Sequence, residues 1–138
     1  MKLLIDTCVI LDLVMQREPF FNDARDFLML IRDEKTEGII TVKSLMDIYY
    51  AVKHTLHNEE DTRGILKSVA SLLTIVDSKT RDALMSLDSP ISDYEDAVMA
   101  EAAMQHSVDY IITRNIRDFS HSPVPVLTPG DFLSLDLQ

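Results

Sequence analysis

Asp6 interrupts an apolar run near the N-terminus, in the stretch LLIDTCVILDL (residues 3–13). Asp47 lies in SLMDIYY, Asp93 and Asp96 in DYEDAVMAEAA, and Asn115 and Asp118 in TRNIRDF. Carboxylate and amide oxygens without a thiolate or imidazole partner are hard donors, which suit Mg2+ or Mn2+. One or two such cations, held by several acids, can activate water and stabilise the leaving oxygen of a phosphodiester. The chemistry that these residue types allow is therefore metal-assisted hydrolysis.

Each acid also has an ordinary structural use. Asp6 could be a helix N-cap, Asp47 the partner of Ser44 in a capping box, and Asp93 an acid of a helical first turn. Asp118 could form a loop Asx-turn. Asp96 resists such a reading. At 100° per residue Glu95, Glu101, Gln105 and His106 share a polar arc, while Asp96 falls among Ala97, Met99, Ala100, Ala103 and Met104. A carboxylate on a core-facing arc costs several kcal/mol unless it is paired or bound to a cation.

Competing chemistries are poorly supplied. Cys8 is the only cysteine, and no histidine is placed to act as its base. His54 and His57 lack the i, i+4 spacing of a zinc pair, and His106 and His121 fit solvated positions. There is no GxGxxG, Walker A or GxSxG motif. Tyr49, Tyr50 and the methionines are expected to pack in the core.

The acids need a scaffold, and the hydrophobic pattern provides one. Residues 2–6, 39–42, 72–76 and 109–113 read as strands, with 124–127 as a possible edge strand restricted by Pro125. Helical patterns fall at 9–16, 22–34, 44–56, from Asn58, at 79–87 and at 92–107 with Ser92 and Glu95 as a capping box; Thr128-Pro129 opens a last short helix. Strands alternating with helices predict one α/β domain over residues 1–138. It has three layers, a mainly parallel four- to five-stranded sheet flanked by helices. In such sheets sites form at the carboxyl ends of the strands, where Asp6, Asp47 and the Asn115–Asp118 loop would lie. Lys43, Arg114 and Arg117 near those ends are candidates for phosphate contacts, or ordinary surface bases.

Composition sets limits on the partner. The 138 residues hold 13 basic and 23 acidic side chains, a net charge of −10, which opposes an electrostatic nucleic-acid binder. Bound cations or a basic partner would have to offset the repulsion if the substrate is nucleic acid. A single cysteine excludes an internal disulfide and fits a reducing compartment. No run reaches the roughly 18 apolar residues of a membrane span, and the N-terminus is not patterned as a signal peptide, so a cytoplasmic protein is expected.

The motifs LLIDTCVILDL, SLMDIYY, DYEDAVMAEAA and YIITRNIRDF resemble, in order and spacing, those of the PIN-domain ribonucleases. REPF and the closing PVPVLTPGDFL resemble a bacterial branch of that superfamily, many of whose members are toxins of toxin–antitoxin pairs. The resemblance implies a PIN-like fold and a Mg2+- or Mn2+-dependent endoribonuclease with Asp6, Asp47 and Asp96 as its acids. It gives Thr7 a supporting hydroxyl, and it implies an RNA substrate, a small antitoxin partner and a homodimer. Three positions depart from the family pattern. Asp47 stands where most members have Glu, Cys8 where Asn is common, and Asn115 where many have Asp, with Asp118 three residues on as a substitute charge. These departures motivate an alternative, a PIN-fold protein weakened in catalysis that serves in binding or assembly. A Mg2+-dependent phosphatase or phospho-acceptor built on Asp6 is a third reading, although Cys8 occupies the place of its second acid.

Overall fold

The computed structural model describes residues 1–135. Five parallel strands form the sheet: β1 (Lys2–Ile5), β2 (Glu37–Thr41), β3 (Thr74–Val76), β4 (Tyr110–Ile112) and β5 (Val126–Leu127), in the order β3-β2-β1-β4-β5. The helices are α1 (Thr7–Val14), α2 (Phe21–Arg32), α3 (Val42–Leu56), α4 (Glu59–Leu72), α5 (Thr80–Ser86), α6 (Tyr94–Gln105) and α7 (Pro129–Leu133). Every strand pairing is parallel, so each connection must cross a face of the sheet; helices supply the crossovers as far as β4, and the β4–β5 connection carries only a 3-10 turn, Ile116–Phe119.

The pleat divides the apolar strand residues between two cores. Leu3, Ile5, Ile40 and Ile112 face one cluster with Phe27, Ile31, Ile48, Val52 and Phe132. Leu4, Ile39 and Ile111 face the other, with Ala97, Ala100 and Ala103 of α6 and the buried Phe119. This explains the unbroken apolar runs of the central strands, which are covered on both sides. The three-layer α/β architecture agrees with the sequence expectation, and the edge strand at Val126–Leu127 is present.

Several local expectations are corrected. Ser92 and Glu95 do not form a capping box; Asp93 is the N-cap of α6 and accepts the Asp96 N–H at 3.0 Å. Asp47 does not cap α3 with Ser44 either, because Thr41 is the N-cap and accepts the Ser44 N–H at 3.1 Å. Tyr50 is 64% exposed, and Met1, Met29, Met46, Met85 and Met104 are exposed, so most methionines lie outside the core. The buried stripe of α6 is shifted from the expected one: Met104 leaves it and Ala102, fully buried, joins it. His106 is half-buried, with Nε2 at 3.2 Å from the Asp77 carbonyl oxygen, rather than solvated.

Candidate active site

Asp6 directly follows β1 and is the N-cap residue of α1, with φ −70° and ψ 146°. Its side chain makes no capping bond. Instead Oδ2 accepts the hydroxyl of buried Thr113 at 2.7 Å, just past β4, and the Cys8 thiol at 3.5 Å. The Thr113 Oγ1 also accepts the Asn115 N–H at 3.1 Å. One buried hydroxyl therefore links the Asp6 carboxylate to the start of the loop that carries Asn115 and Asp118.

A cleft of about 320 Å3 opens at these strand ends. Asp6, Asp47, Asp96, Asn115 and Asp118 line it, together with Thr7, Cys8 and Lys43. Four separate stretches of sequence thus reach one concavity, as the strand-end argument required. Burial first, then the charges of Asp93, Asp6, Asp118 and Glu95, push the Asp96 carboxyl up to about 7. An acid raised by neighbouring acids marks a place where negative charge is crowded and a cation would relieve it.

The donor set is all hard oxygen, which fits Mg2+ or Mn2+. The side chains are not yet gathered on one point, since among the described residues no three of His, Cys, Asp and Glu are placed to share an ion. Two observations account for the spread. The Thr113 bond holds one oxygen of Asp6, and Lys43 Nζ holds Asp47 at 2.6 Å and Glu95 at 3.2 Å. Partial burial pulls the Lys43 pKa down, yet its bonds to Asp47 and Glu95 outweigh that and raise it. Lys43 is thus a fixed positive charge among the cleft acids.

The other expected residues take different places. Asp93 caps α6 and is outside the cleft lining. Arg114 is also outside it: Nε donates to Asp12 Oδ2 at 2.8 Å, and the guanidinium lies 4.5 Å from the Phe20 ring centroid. Arg117 is exposed on a 3-10 turn, Ile116–Phe119, that also carries Asp118. Arg17 and Ser78 line the cleft without having been singled out by their sequence context, and so does Glu95, whose sequence context suggested a capping box instead. Glu95 was placed on the polar arc of its helix, and that arc is what borders the cleft. Thr113 had no sequence signal beyond following a strand. Cys8 is removed from consideration as a nucleophile, because burial first, then the charge of Asp6, pushes its thiol up to about 11.

A family model described as "PIN domain" matches residues 2–117, most of the chain, including Asp6, Asp47, Asp93 and Asp96 and ending one residue before Asp118. The chain belongs to the PIN-domain family. Solved structures carry the same PIN fold. A toxin–antitoxin complex from Klebsiella pneumoniae matches with 25% identity and a TM-score of 0.65, over 91% of this chain and 96% of that one. VapBC2 from Rickettsia felis, bound to a DNA fragment from its promoter, matches at 17% identity and a TM-score of 0.68 over 93% and 98% of the two chains. FitAcB from Neisseria gonorrhoeae matches at 19% identity and a TM-score of 0.69, over 93% and 98%. No curated protein matches the chain in sequence. The last two likenesses establish the PIN fold alone. The order of acids along the chain and their meeting in one cleft are properties of this sequence.

Proposed function

We propose that this PIN-domain protein is a Mg2+- or Mn2+-dependent endoribonuclease, the toxin of a toxin–antitoxin pair, acting as a homodimer restrained by a small antitoxin. The observation that carries the reading is the meeting of Asp6, Asp47, Asp96 and Asp118 in one cleft, with Asp96 pushed up to about 7. The toxin role is supported by the resemblance to chains of toxin–antitoxin complexes, among them the one from Klebsiella pneumoniae.

Asp6, Asp47, Asp96 and Asp118 would hold the cation, with the Asn115 carbonyl as a neutral ligand. The chemistry supplied by a bound cation is activation of water and neutralisation of charge on the scissile phosphate. The remaining work falls to the chain. Thr113 Oγ1 donates its proton to Asp6 Oδ2 and so fixes the carboxylate plane. Asp96 holds a proton near neutral pH in the metal-free cleft and releases it when positive charge enters. Arg17 and Lys43 line the cleft and bring positive charge to an RNA phosphate in a protein of net charge −10. Lys43 does so by exchanging Asp47 and Glu95 for the phosphate.

One observation favours a second reading, a PIN fold weakened in catalysis and used for binding. Lys43 already neutralises Asp47, and Asn115 adds no charge, which lowers the demand for a cation. Purified protein incubated with mixed RNAs and Mn2+ separates the two. The nuclease reading expects cleavage that EDTA abolishes and that Asp6→Asn or Asp96→Asn lowers by about a hundredfold or more, the scale of losing one electrostatic group from a catalytic site. Cleavage that persists in both variants is contamination and defeats the reading. No cleavage together with no Mn2+-dependent rise in melting temperature selects the second.

A further inference from the structure

Two carboxylates, Asp12 and Asp82, are buried with one oxygen lacking a hydrogen-bond partner among the described residues. Asp82 has a local explanation, because its other oxygen accepts the Lys79 N–H at 2.9 Å and closes the first turn of α5. Asp12 has none. It lies within α1, 2% exposed, and its Oδ2 accepts from Arg114 Nε at 2.8 Å across 102 residues of sequence. The Arg114 guanidinium is in turn laid over the Phe20 ring, in the segment between α1 and α2.

The position of this pair in the chain is what gives it meaning. The helix that carries Asp12 begins immediately after Asp6, and Arg114 immediately precedes Asn115. Asn115 and Asp118 are exposed, and their side chains make no hydrogen bond among the described residues. Nothing at their own positions therefore orients them. Their placement depends on three anchors of the loop: the Thr113 hydroxyl, the Arg114 guanidinium, and Phe119, which is buried in the second core.

We propose that Asp12 is a positioning residue: through Arg114 it fixes the 113–119 loop so that Asn115 and Asp118 face the cleft opposite Asp6. A buried ion pair is a poor way to gain stability, since apolar residues of similar volume usually serve as well or better. A single hydrogen bond with an orphaned second oxygen makes the balance worse. The directional Nε–H···Oδ2 bond does what an apolar contact cannot, which is to hold one register between α1 and the loop. Second ligand shells of this kind act on a metal through the ligands they orient. The part of this inference that concerns the cation rests on the nuclease reading; the part that concerns the loop does not.

The test uses the full chain in four forms: wild type, Asp12→Asn, Arg114→Met, and the double variant Asp12→Leu with Arg114→Met. Hydrogen–deuterium exchange of the metal-free protein reads the loop, calorimetry with Mn2+ reads the site, and thermal melting checks folding. Asp12→Asn keeps the volume and an acceptor, so it folds and keeps most of the protection of the loop. Arg114→Met and the double variant are expected to lose protection at the amides of 115 and 118 while α6 stays protected. They are expected to bind Mn2+ about 10- to 100-fold more weakly, the range for lost second-shell partners. The double variant is expected to melt no lower than Arg114→Met, because it leaves no buried charge unpaired. Unchanged protection at 115 and 118 in the double variant overturns the proposal, as does faster exchange spread evenly over all segments. Wild-type protein that binds no Mn2+ would overturn the nuclease reading instead, and loop exchange would still decide the role of Asp12.

Discussion

Thr113 shows how much of the site rests on a residue with no chemistry of its own. Its hydroxyl donates to Asp6 and accepts the Asn115 N–H, so Thr113→Val keeps the shape and removes both bonds. The expected loss is about 1–3 kcal/mol of stability, read by denaturant unfolding, with a larger proportional fall in RNA cleavage as Asp6 loses its orientation. Sequence could not announce this role, because Asp6 and Thr113 are 107 residues apart and meet only through the β1–β4 pairing. Asp96 was legible for the opposite reason: its conflict with the apolar arc is local to one helix. Its raised pKa gives a pH prediction whose sign is opposite to that of a salt-bridged acid. The folded chain binds the Asp96 proton more tightly than the unfolded chain does. Metal-free stability from this group is therefore present in acid and lost as pH rises from the ordinary carboxylate range through about 7. Melting temperatures at pH 5 and pH 8 should differ less in Asp96→Asn than in wild type. At Cys8 the thiol, pushed up to about 11, should react slowly with alkylating reagents at pH 8 until the protein is unfolded.

At the scale of elements, the acids are placed by where strands stop and helices begin. Starting α1 at Thr7 rather than Val9 makes Asp6 the N-cap residue, and its extended backbone leaves the carboxylate to turn toward Thr113. Starting α3 at Val42 puts Lys43 and Asp47 one turn apart on the same face, which is why they pair. The strands were legible as apolar runs and the helices as 3.6-residue patterns, so the architecture could be read. What could not be read were contacts made at helix ends and between helices: Asp93 as N-cap, Lys43 reaching Glu95, and Arg114 turning to Asp12 instead of the cleft. The scaffold has little slack at Gly38 of β2. A methyl group there would stand 2.7 Å from Ile31 Cδ1 and Leu73 Cδ2 and 2.9 Å from Ile5 Cδ1, all core side chains. Gly38→Ala should therefore destabilise the protein by about 1–3 kcal/mol through overpacking beneath the sheet, seen as a lower melting temperature.

For the whole molecule the governing fact is the net charge of −10 on a protein proposed to act on a polyanion. No helix among the described residues is long and apolar enough to cross a membrane. Without a divalent cation the chain should not retain RNA in a gel-shift experiment even at low salt, because its field repels phosphate. Retention in EDTA would contradict this. The proposed cation site is where the repulsion is locally reversed, and the crowding around Asp96 marks it. The most direct test of that claim is calorimetric titration of Mg2+ into the metal-free protein near pH 6, repeated in two buffers of different ionisation enthalpy. The account predicts binding with release of close to one proton, and loss of that proton release in Asp96→Asn. Binding that releases no proton, or that is unchanged in Asp96→Asn, would contradict it.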